Sequence, residues 1–372
     1  MLQWLIMFDF TLNAGSRKTR VVIGPNALLE VGSLLAQISQ ANPSRHVAVV
    51  ADRRVGALHG DRLISSLSRA GNRVCEYRID PGEGSKNLST LGELYHFLKA
   101  QEIGRDAVVV ALGGGVVSDL AGLAAATWMR GIDWVVCPTT MEADLDACLG
   151  GKTAIDLPGG KNLVGAFHHP ILVVVDPTCL ATLEPRDVRA GLAESIKHAL
   201  IDSSDFLTWQ EAHASSILAL DQAVTTDLIL RNLQIKAGVV ERDPQEHTGA
   251  RMMLNFGHTI GHAIEDCCGY DLRHGECVSL GIVAACRLSQ ALNLLNAKVV
   301  ERVEALLVLF GLPTRLDRPI EFKRIEATLQ CDKKARGGSP QFVLLEGIGK
   351  PVVRGDVPRD AVRRAYESLL AK

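Results

Sequence analysis

The chain has 372 residues, of which 47% are hydrophobic and only 5% aromatic, and its formal net charge is −2. This length exceeds what one hydrophobic core usually supports, so we expect two domains. The near-neutral charge excludes a global attraction to nucleic acid or to an anionic membrane. Nine cysteines without any Cys-x-x-Cys spacing indicate reduced thiols and predict a cytoplasmic protein.

The N-terminal stretch, residues 1–10, is apolar but lacks a basic region and contains Asp9. It is too short to cross a bilayer, and a first β-strand is a better interpretation than a signal peptide. We therefore expect neither a membrane nor a nucleic acid as a partner.

Short valine-rich runs alternate with helical patterns in the first half of the chain. The run 106–112 is almost continuously apolar, as in a strand that is buried on both faces of a parallel sheet. Strands are predicted at 21–23, 47–50, 74–78, 108–112, 134–137 and 171–175. A helix is predicted over 91–100, with Ser89 and Thr90 as candidate caps. This alternation predicts a Rossmann-like α/β domain with a largely parallel sheet.

Long helical patterns replace the valine-rich runs after Pro185. Helices are predicted over 188–200, 226–241, 254–265, 276–294 and 299–310, and late strands only at 341–345 and 352–353. The change from valine-rich runs to long helical patterns near 183–186 predicts an α/β N-terminal domain at 1–184 and a mainly α-helical domain at 185–372.

A glycine-rich turn, Gly113-Gly114-Gly115, follows the predicted strand 108–112 and precedes a helix of small residues over 120–127. A strand, a glycine turn and a helix N-terminus can bind phosphate, because backbone N–H groups are exposed and no Cβ intervenes. The spacing differs from Gly-x-Gly-x-x-Gly, so a tight turn for close helix packing is an equal alternative. The segment 82–86 lacks the P-loop spacing, which argues against nucleoside triphosphate hydrolysis.

Two glycine–lysine steps, Gly151-Lys152 and Gly160-Lys161, follow the strand end at 138–140. Glycine beside lysine indicates backbone that a ligand approaches closely, with ammonium groups opposite anionic oxygen. Ligands collect at the carboxyl ends of strands in doubly wound sheets. A solvated loop is the alternative interpretation.

A candidate metal site combines His258 and His262, one helical turn apart, with His274 and the upstream carboxylate Glu194. Neutral imidazole and carboxylate are the usual ligands of a catalytic zinc that keeps one position open. The alternatives are a polar helix face for the histidines and a solvated i, i+3 pair for Glu194 and Lys197.

Nine blocks of the sequence resemble 3-dehydroquinate synthases, of the sugar-phosphate cyclase superfamily. They include the Gly113 turn, the Gly-His-x-x-Gly-His motif at 257–262 and His274-Gly275-Glu276. The blocks are residues 81–86, 113–122, 138–140, 150–154, 160–165, 191–197, 254–265, 274–276 and 332–334. The resemblance implies a dehydroquinate synthase-like fold, with an N-terminal NAD-binding domain and a C-terminal domain for metal and substrate.

The resemblance also implies a reaction of the shikimate pathway, which serves aromatic amino acid biosynthesis. A carbon–oxygen lyase would convert 3-deoxy-D-arabino-heptulosonate 7-phosphate to 3-dehydroquinate plus phosphate. The implied steps are transient oxidation by NAD, phosphate elimination, re-reduction and intramolecular aldol closure. The implied ligands of Zn2+ (or Co2+) are Glu194, His258 and His274, which assigns His262 to the substrate instead.

The family motifs imply further site residues. The implied NAD site comprises Asp52, Glu83, Lys86, Gly114, Gly115, Val116, Asp119, Thr139, Thr140, Lys152, Lys161 and Thr182. The implied substrate contacts are Arg130, Asp146, Lys152, Asn162, Lys197, Lys236, Arg251, Asn255, His262 and one of Lys333 and Lys334. Of all these residues, the implied catalytic set is Asp146, Lys152, Glu194, Lys197, Lys236, Arg251, Asn255, His262 and His274. A homodimer is also implied, in which Arg130 reaches the neighbouring subunit's site. If the resemblance is set aside, the helical pattern alone predicts that Lys236 lies on a solvent-facing helix surface and that residues 332–334 are a charged surface segment.

The chain departs from the family's pattern at several positions. The run 141–148 differs from the usual approach to Asp-Ser-Ser, Asp156 stands where asparagine is typical, and Ser118 replaces a glycine. These differences leave an inosose- or valiolone-type cyclase as an alternative. A metal-dependent polyol or glycerol-phosphate dehydrogenase, which would release NADH stoichiometrically, is a second alternative, and a cyclase-like protein that binds without turnover is a third.

Overall fold

A computed structural model describes residues 7–38, 44–269, 271–335 and 340–370, without the side chains of 331–335. The chain divides into two compact units. The first comprises the chain up to Leu183 together with Thr225–Gln245, and the second comprises Glu184–Val224 and the chain from Glu246 onward. The sequence-based limits, 1–184 and 185–372, differ from these units in one segment, because Thr225–Gln245 groups with the first unit.

The regular elements are as follows. The strands are β1 Phe8–Ala14, β2 Arg17–Ile23, β3 His46–Asp52, β4 Arg73–Ile79, β5 Val108–Gly113, β6 Asp133–Pro138, β7 Lys152–Leu157, β8 Gly160–Phe167, β9 Leu172–Val175, β10 Phe342–Leu345 and β11 Pro351–Arg354. The helices are α1 Val31–Ile38, α2 Arg53–Arg69, α3 Leu88–Ala100, α4 Gly115–Thr127, α5 Pro185–Asp202, α6 Ser204–Leu218, α7 Gln222–Arg242, α8 His258–Cys267, α9 His274–Ala291, α10 Ala297–Leu309, α11 Phe322–Ala335 and α12 Arg359–Glu367.

A seven-stranded sheet in the order β1-β2-β9-β6-β5-β3-β4 organises the first unit. Only β1 and β2 pair antiparallel, and all other neighbours are parallel. Every residue of β5 is buried, as expected for a strand covered on both faces. The predicted parallel sheet and its six valine-rich strands are confirmed, and β1 begins near the end of the predicted first strand.

The carboxyl ends of β3, β5 and β6 are neighbours at one edge of this sheet. Ala51 is level with Leu112, and Gly113 is level with Pro138. The next residues along these three strands therefore meet at the edge where doubly wound sheets bind ligands.

The hairpin of β7 and β8 lies where a ligand-binding or solvated loop was predicted. The two strands pair antiparallel, and the Thr153 hydroxyl donates to the Ala166 carbonyl at 2.9 Å. Gly165 is needed in this pairing, because a Cβ there would lie 2.2 Å from the Thr153 carbonyl oxygen. The segment is therefore a hairpin and not a loop, although its second strand is mostly exposed to solvent.

The second unit is mainly helical, as predicted, with β10 and β11 as its described strand pair. The predicted helix over 254–265 starts too early. A 3-10 turn covers Ala250–Asn255, and α8 begins at His258 after Gly257, whose φ is +80°. The cap of α3 also differs: the Asn87 side chain, not Ser89 or Thr90, accepts from the backbone at the helix start. No helix in the described ranges is both long enough and apolar enough to cross a membrane.

Candidate active site

Helices α8 and α9 approach each other so closely that only glycine fits at their contact. A Cβ on Gly281 would lie 1.8 Å from the Gly257 carbonyl oxygen, and one on Gly261 would lie 2.9 Å from the Cys277 carbonyl oxygen. On these two closely packed helices, the ring centroids of His258 and His274 are 5.5 Å apart. The glycines of the Gly-His-x-x-Gly-His motif thus serve helix packing, a signal that the sequence contained but that spacing arguments missed.

Glu194 completes a convergent set of three donors. It lies on α5 with 1% of its surface exposed. Its Oε1 atom is 3.4 Å from His258 Nε2 and 3.5 Å from His274 Nε2. Ligands at 2.0–2.1 Å from a tetrahedral metal lie about 3.3 Å apart, so both distances from Glu194 match the separation of two ligands of one ion.

The remaining polar atom of each of these three side chains has its own partner. Glu194 Oε2 forms an ion pair with Lys197, which is equally buried. His258 Nδ1 lies 3.2 Å from the Phe256 carbonyl, and His274 Nδ1 lies 3.1 Å from Glu265 Oε2. Both acceptors favour hydrogen on Nδ1, which leaves the Nε2 lone pairs directed at the common point.

Glu194 is ionised in this environment. Burial alone would raise the pKa of its carboxyl group, but the charge of Lys197, followed by contacts with His258 and His274, lowers it well below its ordinary value. An anionic carboxylate beside two imidazoles suits a divalent cation such as Zn2+.

His262 is the third histidine of the cluster. Its potential ligand atom lies within 4.8 Å of those of His258 and His274, so geometry alone also permits an all-histidine set. Its side chain is exposed and makes no hydrogen bond to a described residue. Although the residue is exposed overall, its ring lies against those of His258 and His274, at centroid distances of 5.2 and 5.6 Å, and desolvation followed by the charges of these histidines lowers the pKa of His262. The ring is therefore neutral and able to accept a hydrogen bond from a ligand.

The glycine turn of the first unit fits an anionic cofactor. Gly114 caps α4, and a Cβ on it would lie 2.9 Å from Thr140 Cγ2. Gly115 and the half-buried Val116 form the first turn of α4, whose leading N–H groups lack intrahelical acceptors. Thr139 is 2% exposed, and its buried hydroxyl has no hydrogen-bond partner among the described residues. A narrow glycine turn at a helix N-terminus suits a nucleotide phosphate, and a hydroxyl without a partner suits a hydrogen bond to that phosphate or its ribose.

Lys86 is the centre of a charged network beside this turn. Its ammonium group lies 2.6 Å from Asp119 Oδ2, 2.5 Å from Asn162 Oδ1 and 3.7 Å from Glu83 Oε1. Burial would lower the pKa of Lys86, but Asp119, Glu83 and Asp156 together raise it, so the lysine is cationic.

Two residues next to this network complete the geometry. Lys161 lies 3.7 Å from Glu83 Oε1. Asn162 adopts φ +56°, and its N–H donates to Asp156 Oδ1 at 2.8 Å. Asp156, one of the positions at which the chain departs from the family pattern, therefore anchors the backbone of Asn162, whose side chain accepts from Lys86.

Two further residues of the implied NAD site have structural partners in the first unit. The Asp52 side chain caps α2 by accepting from Val55 N at 2.8 Å. The Thr182 hydroxyl donates to the Cys179 carbonyl and lies 3.0 Å from His59 Nε2. Since that hydroxyl hydrogen is used, His59 donates from Nε2. Sequence reasoning did not identify His59.

Asp146 and Lys236 form an ion pair within the first unit. Lys236 Nζ lies 2.8 Å from Asp146 Oδ2 and donates to the Asp146 carbonyl at 2.7 Å. Lys236 is only 6% exposed, so the solvent-facing alternative for this lysine is wrong. Asp146 itself lies in a π-helical turn, Ala143–Ala147.

The other implied substrate residues differ in exposure. Lys152 and Arg130 are exposed, and Arg130, with φ +72°, makes no hydrogen bond or ion pair to a described residue. Arg251 is buried, and Asn255 is half-buried at the end of the same 3-10 turn. Lys333 and Lys334 belong to α11, but their side chains lie outside the described residues.

Comparison with known proteins identifies the family of the chain. The family described as 3-dehydroquinate synthase N-terminal matches residues 76–190, and the one described as 3-dehydroquinate synthase C-terminal matches residues 191–335. The chain belongs to the 3-dehydroquinate synthase family. A 3-dehydroquinate synthase from Caulobacter vibrioides is 44% identical over 355 residues, covering 94% of this chain and 95% of the relative.

Solved structures of related cyclases share the architecture. A 2-epi-5-epi-valiolone synthase from Streptomyces hygroscopicus, with NAD+ and Zn2+ bound, is 29% identical with a TM-score of 0.86, covering 96% of this chain and 98% of its own. A 2-deoxy-scyllo-inosose synthase, complexed with carbaglucose-6-phosphate, NAD+ and Co2+, is 27% identical with a TM-score of 0.86, covering 98% and 100%. The dehydroquinate synthase-like fold predicted from the family motifs is confirmed.

The thiol of Cys148, two residues after the implied substrate residue Asp146, is not activated for catalysis. Cys148 is buried, and burial, followed by the charge of Asp144, raises the pKa of its thiol. A buried thiol with a raised pKa is a poor nucleophile.

Proposed function

We propose that this protein is a 3-dehydroquinate synthase, which converts 3-deoxy-D-arabino-heptulosonate 7-phosphate to 3-dehydroquinate plus phosphate. The observation that carries the proposal is the convergence of Glu194 Oε1 with the Nε2 atoms of His258 and His274 in a chain of this family. The family relatives and the cyclases solved with NAD+ and Zn2+ or Co2+ support an NAD- and metal-dependent lyase.

Glu194, His258 and His274 would hold the metal. A bound divalent ion would polarise the alcohol oxygen and the ketone made from it, while NAD would accept the hydride and later return it. The protein's part is to keep the three donors fixed before the ion arrives. The ion pair with Lys197 leaves one Glu194 oxygen facing the histidines, and the two Nδ1 contacts orient the rings.

The first unit would bind NAD at the carboxyl edge of its sheet. The glycine turn, the Thr139 hydroxyl and the start of α4 suit a pyrophosphate and its ribose. Lys86 and Lys161 supply positive charge beside that turn, and Glu83 and Asp119 hold the two ammonium groups in place. We assign the whole NAD-binding set named above to this role.

The substrate carries a carboxylate and a phosphate, and the proposed contacts have matching charge. Lys152, Lys197 and Lys236 offer compact positive charges, and Arg251 offers the planar fork that suits a bidentate anion. Asn162, Asn255 and the neutral His262 would hydrogen-bond hydroxyl or phosphate oxygens. Because Asp146 already holds Lys236, we propose that it positions this lysine for the substrate.

We also propose a cytoplasmic homodimer. The cysteines with described side chains are all free thiols, as in a reducing compartment. The hairpin of β7 and β8 exposes Leu163 and Phe167, which are 67% and 43% accessible, and a second copy of the chain would cover them. Light scattering should give twice the chain mass, and Leu163→Glu should shift it towards one chain.

The decisive experiment incubates the protein with Zn2+, NAD and the seven-carbon sugar phosphate, and follows inorganic phosphate, NADH absorbance and the ring product. We expect phosphate and 3-dehydroquinate in equal amounts, without net NADH. NADH that accumulates in step with product would instead indicate a dehydrogenase. His274→Ala should abolish phosphate release and lose the metal, and retention of metal by this variant would refute the ligand assignment.

A second candidate function is a cyclase that makes a different ring. The solved valiolone and inosose synthases are 29% and 27% identical to this chain, and the run 141–148 departs from the dehydroquinate synthase pattern. Offering six-carbon sugar phosphates and other seven-carbon sugar phosphates in parallel distinguishes these cyclases, because only the correct substrate releases phosphate.

A further inference from the structure

Glu265 is a buried carboxylate that none of the assigned roles uses. It lies on α8, is 6% exposed, and its Oε2 atom is 3.1 Å from Nδ1 of His274 on α9. The opposite ring nitrogen, Nε2, faces Glu194 at 3.5 Å. His274 is therefore held between two carboxylates, one on the proposed metal side and one behind it.

We propose that Glu265 is a positioning residue of the metal site, which fixes the orientation and the tautomer of His274. The proposal rests on the function proposed above, in which His274 is a metal ligand. An imidazole can bind a metal through Nε2 only when that nitrogen carries no hydrogen, so the ring's hydrogen must lie on Nδ1. The Glu265 carboxylate stabilises this tautomer by accepting that hydrogen, and its negative charge makes Nε2 a stronger donor.

Three groups contact the proposed ligands from behind, and Glu265 is the one whose substitution gives the clearest test. His258 Nδ1 is held by the Phe256 backbone carbonyl, which no side-chain substitution removes. Glu194 is held by Lys197, which we also assign to the substrate, so its replacement would change two functions at once. Glu265 contacts the proposed ligand His274 directly and has no other assigned role, and its neighbour Asp266 is an exposed carboxylate on the same helix.

The rival interpretation is that Glu265 only forms an ion pair with a protonated His274 to hold α8 against α9. Such a pair would stabilise the metal-free protein, because a proton on Nε2 excludes the metal. The positioning role instead predicts that the metal-bound form depends on Glu265 more than the metal-free form does. Metal affinity and metal-free stability therefore separate the two.

The experiment compares Glu265→Ala, Glu265→Gln and the matched control Asp266→Asn as full chains, without NAD or substrate. Each metal-free protein is titrated with Co2+, whose visible absorption reports ligand geometry, and with Zn2+ in competition with a chromogenic chelator. Thermal unfolding is recorded with and without metal. His274→Ala is measured in the same way.

We expect Glu265→Ala to bind Zn2+ about 10- to 100-fold more weakly than the unmodified protein, with an altered Co2+ spectrum. Glu265→Gln should lose less, because its amide oxygen accepts the same hydrogen bond without the charge. Asp266→Asn should match the unmodified protein. Zn2+ should raise the unfolding temperature of Glu265→Ala by less than it raises that of the unmodified protein. The unfolding temperature of the metal-free variant should stay close to that of the metal-free unmodified protein.

Unchanged Zn2+ affinity and an unchanged Co2+ spectrum in Glu265→Ala would overturn the proposal, as would a loss confined to metal-free stability. If Glu265→Ala does not fold, Glu265→Gln decides by the same two measurements. If His274→Ala loses the metal while both Glu265 variants keep it at full affinity, only this inference fails. If His274→Ala also keeps the metal, the proposed ligand set fails first.

Discussion

Replacing Asp144 with asparagine should stabilise the protein, and the gain should grow as the pH rises. Asp144 is fully buried in the π-helical turn, and neither of its carboxylate oxygens has a hydrogen-bond partner among the described residues. Burial, followed by the charge of Asp176, raises the pKa of Asp144 well above its ordinary value. The folded protein therefore keeps this carboxyl group protonated at pH values where the unfolded chain releases the proton.

The direction and size of the effect follow from this difference. Below about pH 4 the carboxyl group is protonated in both states, and it makes no pH-dependent contribution. Above that pH the unfolded state gains from ionisation, so the native state loses about 1.4 kcal/mol of stability per pH unit until its own raised pKa is reached. Asparagine has nearly the same shape and does not ionise. The advantage of Asp144→Asn should thus increase with pH and then level off.

The assay is thermal or urea unfolding of both proteins at about pH 5 and about pH 8, where most other carboxyl groups are ionised in both states. Asp176→Asn is the matched control, because Asp176 is also fully buried but accepts from Arg62 Nη2 at 2.7 Å and from Asn26 N at 2.8 Å. Removing its charge should destabilise the protein by about 3–5 kcal/mol. An Asp144→Asn protein that is less stable at the higher pH, or whose gain does not depend on pH, would refute the reasoning.

Two other predictions concern the packing and the cofactor network. Gly281→Ala should destabilise the protein by about 1–3 kcal/mol or more and reduce its zinc content, because the new Cβ would lie 1.8 Å from the Gly257 carbonyl oxygen. The control Gly238→Ala adds a Cβ in open space on α7 and should not destabilise the protein. Equal shifts of the melting temperature in the two variants would contradict the packing argument. Asp156→Ala should weaken NAD binding several-fold in a calorimetric titration at unchanged zinc content, because the backbone N–H of Asn162 loses its acceptor. Asp156→Asn should restore NAD binding. Equal weakening by both variants would point to the charge of Asp156 instead of the hydrogen bond.

The parallel sheet was predictable because its strands are buried on both faces. A strand such as β5, with valine at three successive positions, has no polar face to confuse with another element. The hairpin of β7 and β8 does not follow this rule. Its second strand exposes Leu163 and Phe167 and has glycine at both Gly160 and Gly165, so neither alternation nor continuous burial identifies it.

The start of α8 was missed for a local reason. The apolar pattern over 254–265 continues through Gly257, but this glycine adopts φ +80° and separates a 3-10 turn from the α-helix. Periodicity reports which side chains are apolar, and it does not report a reversal of backbone dihedral at one residue. The consequence is chemical: His258 lies in the first turn of α8, and its ring centroid is 5.5 Å from that of His274.

The choice between His258 and His262 as partners of His274 was beyond spacing arguments, because both lie on one face of the same helix. The family motif favours His258, and the structure supplies an independent physical reason. His258 has a backbone acceptor for its Nδ1 hydrogen and a carboxylate opposite its Nε2 atom, whereas His262 has no hydrogen bond among the described residues. A metal ligand needs its second nitrogen held. Since the acceptors of His258 and His274 come from Phe256 and from the neighbouring helix, only the folded chain offers this reason to propose His258 as a ligand in place of the histidine one turn away.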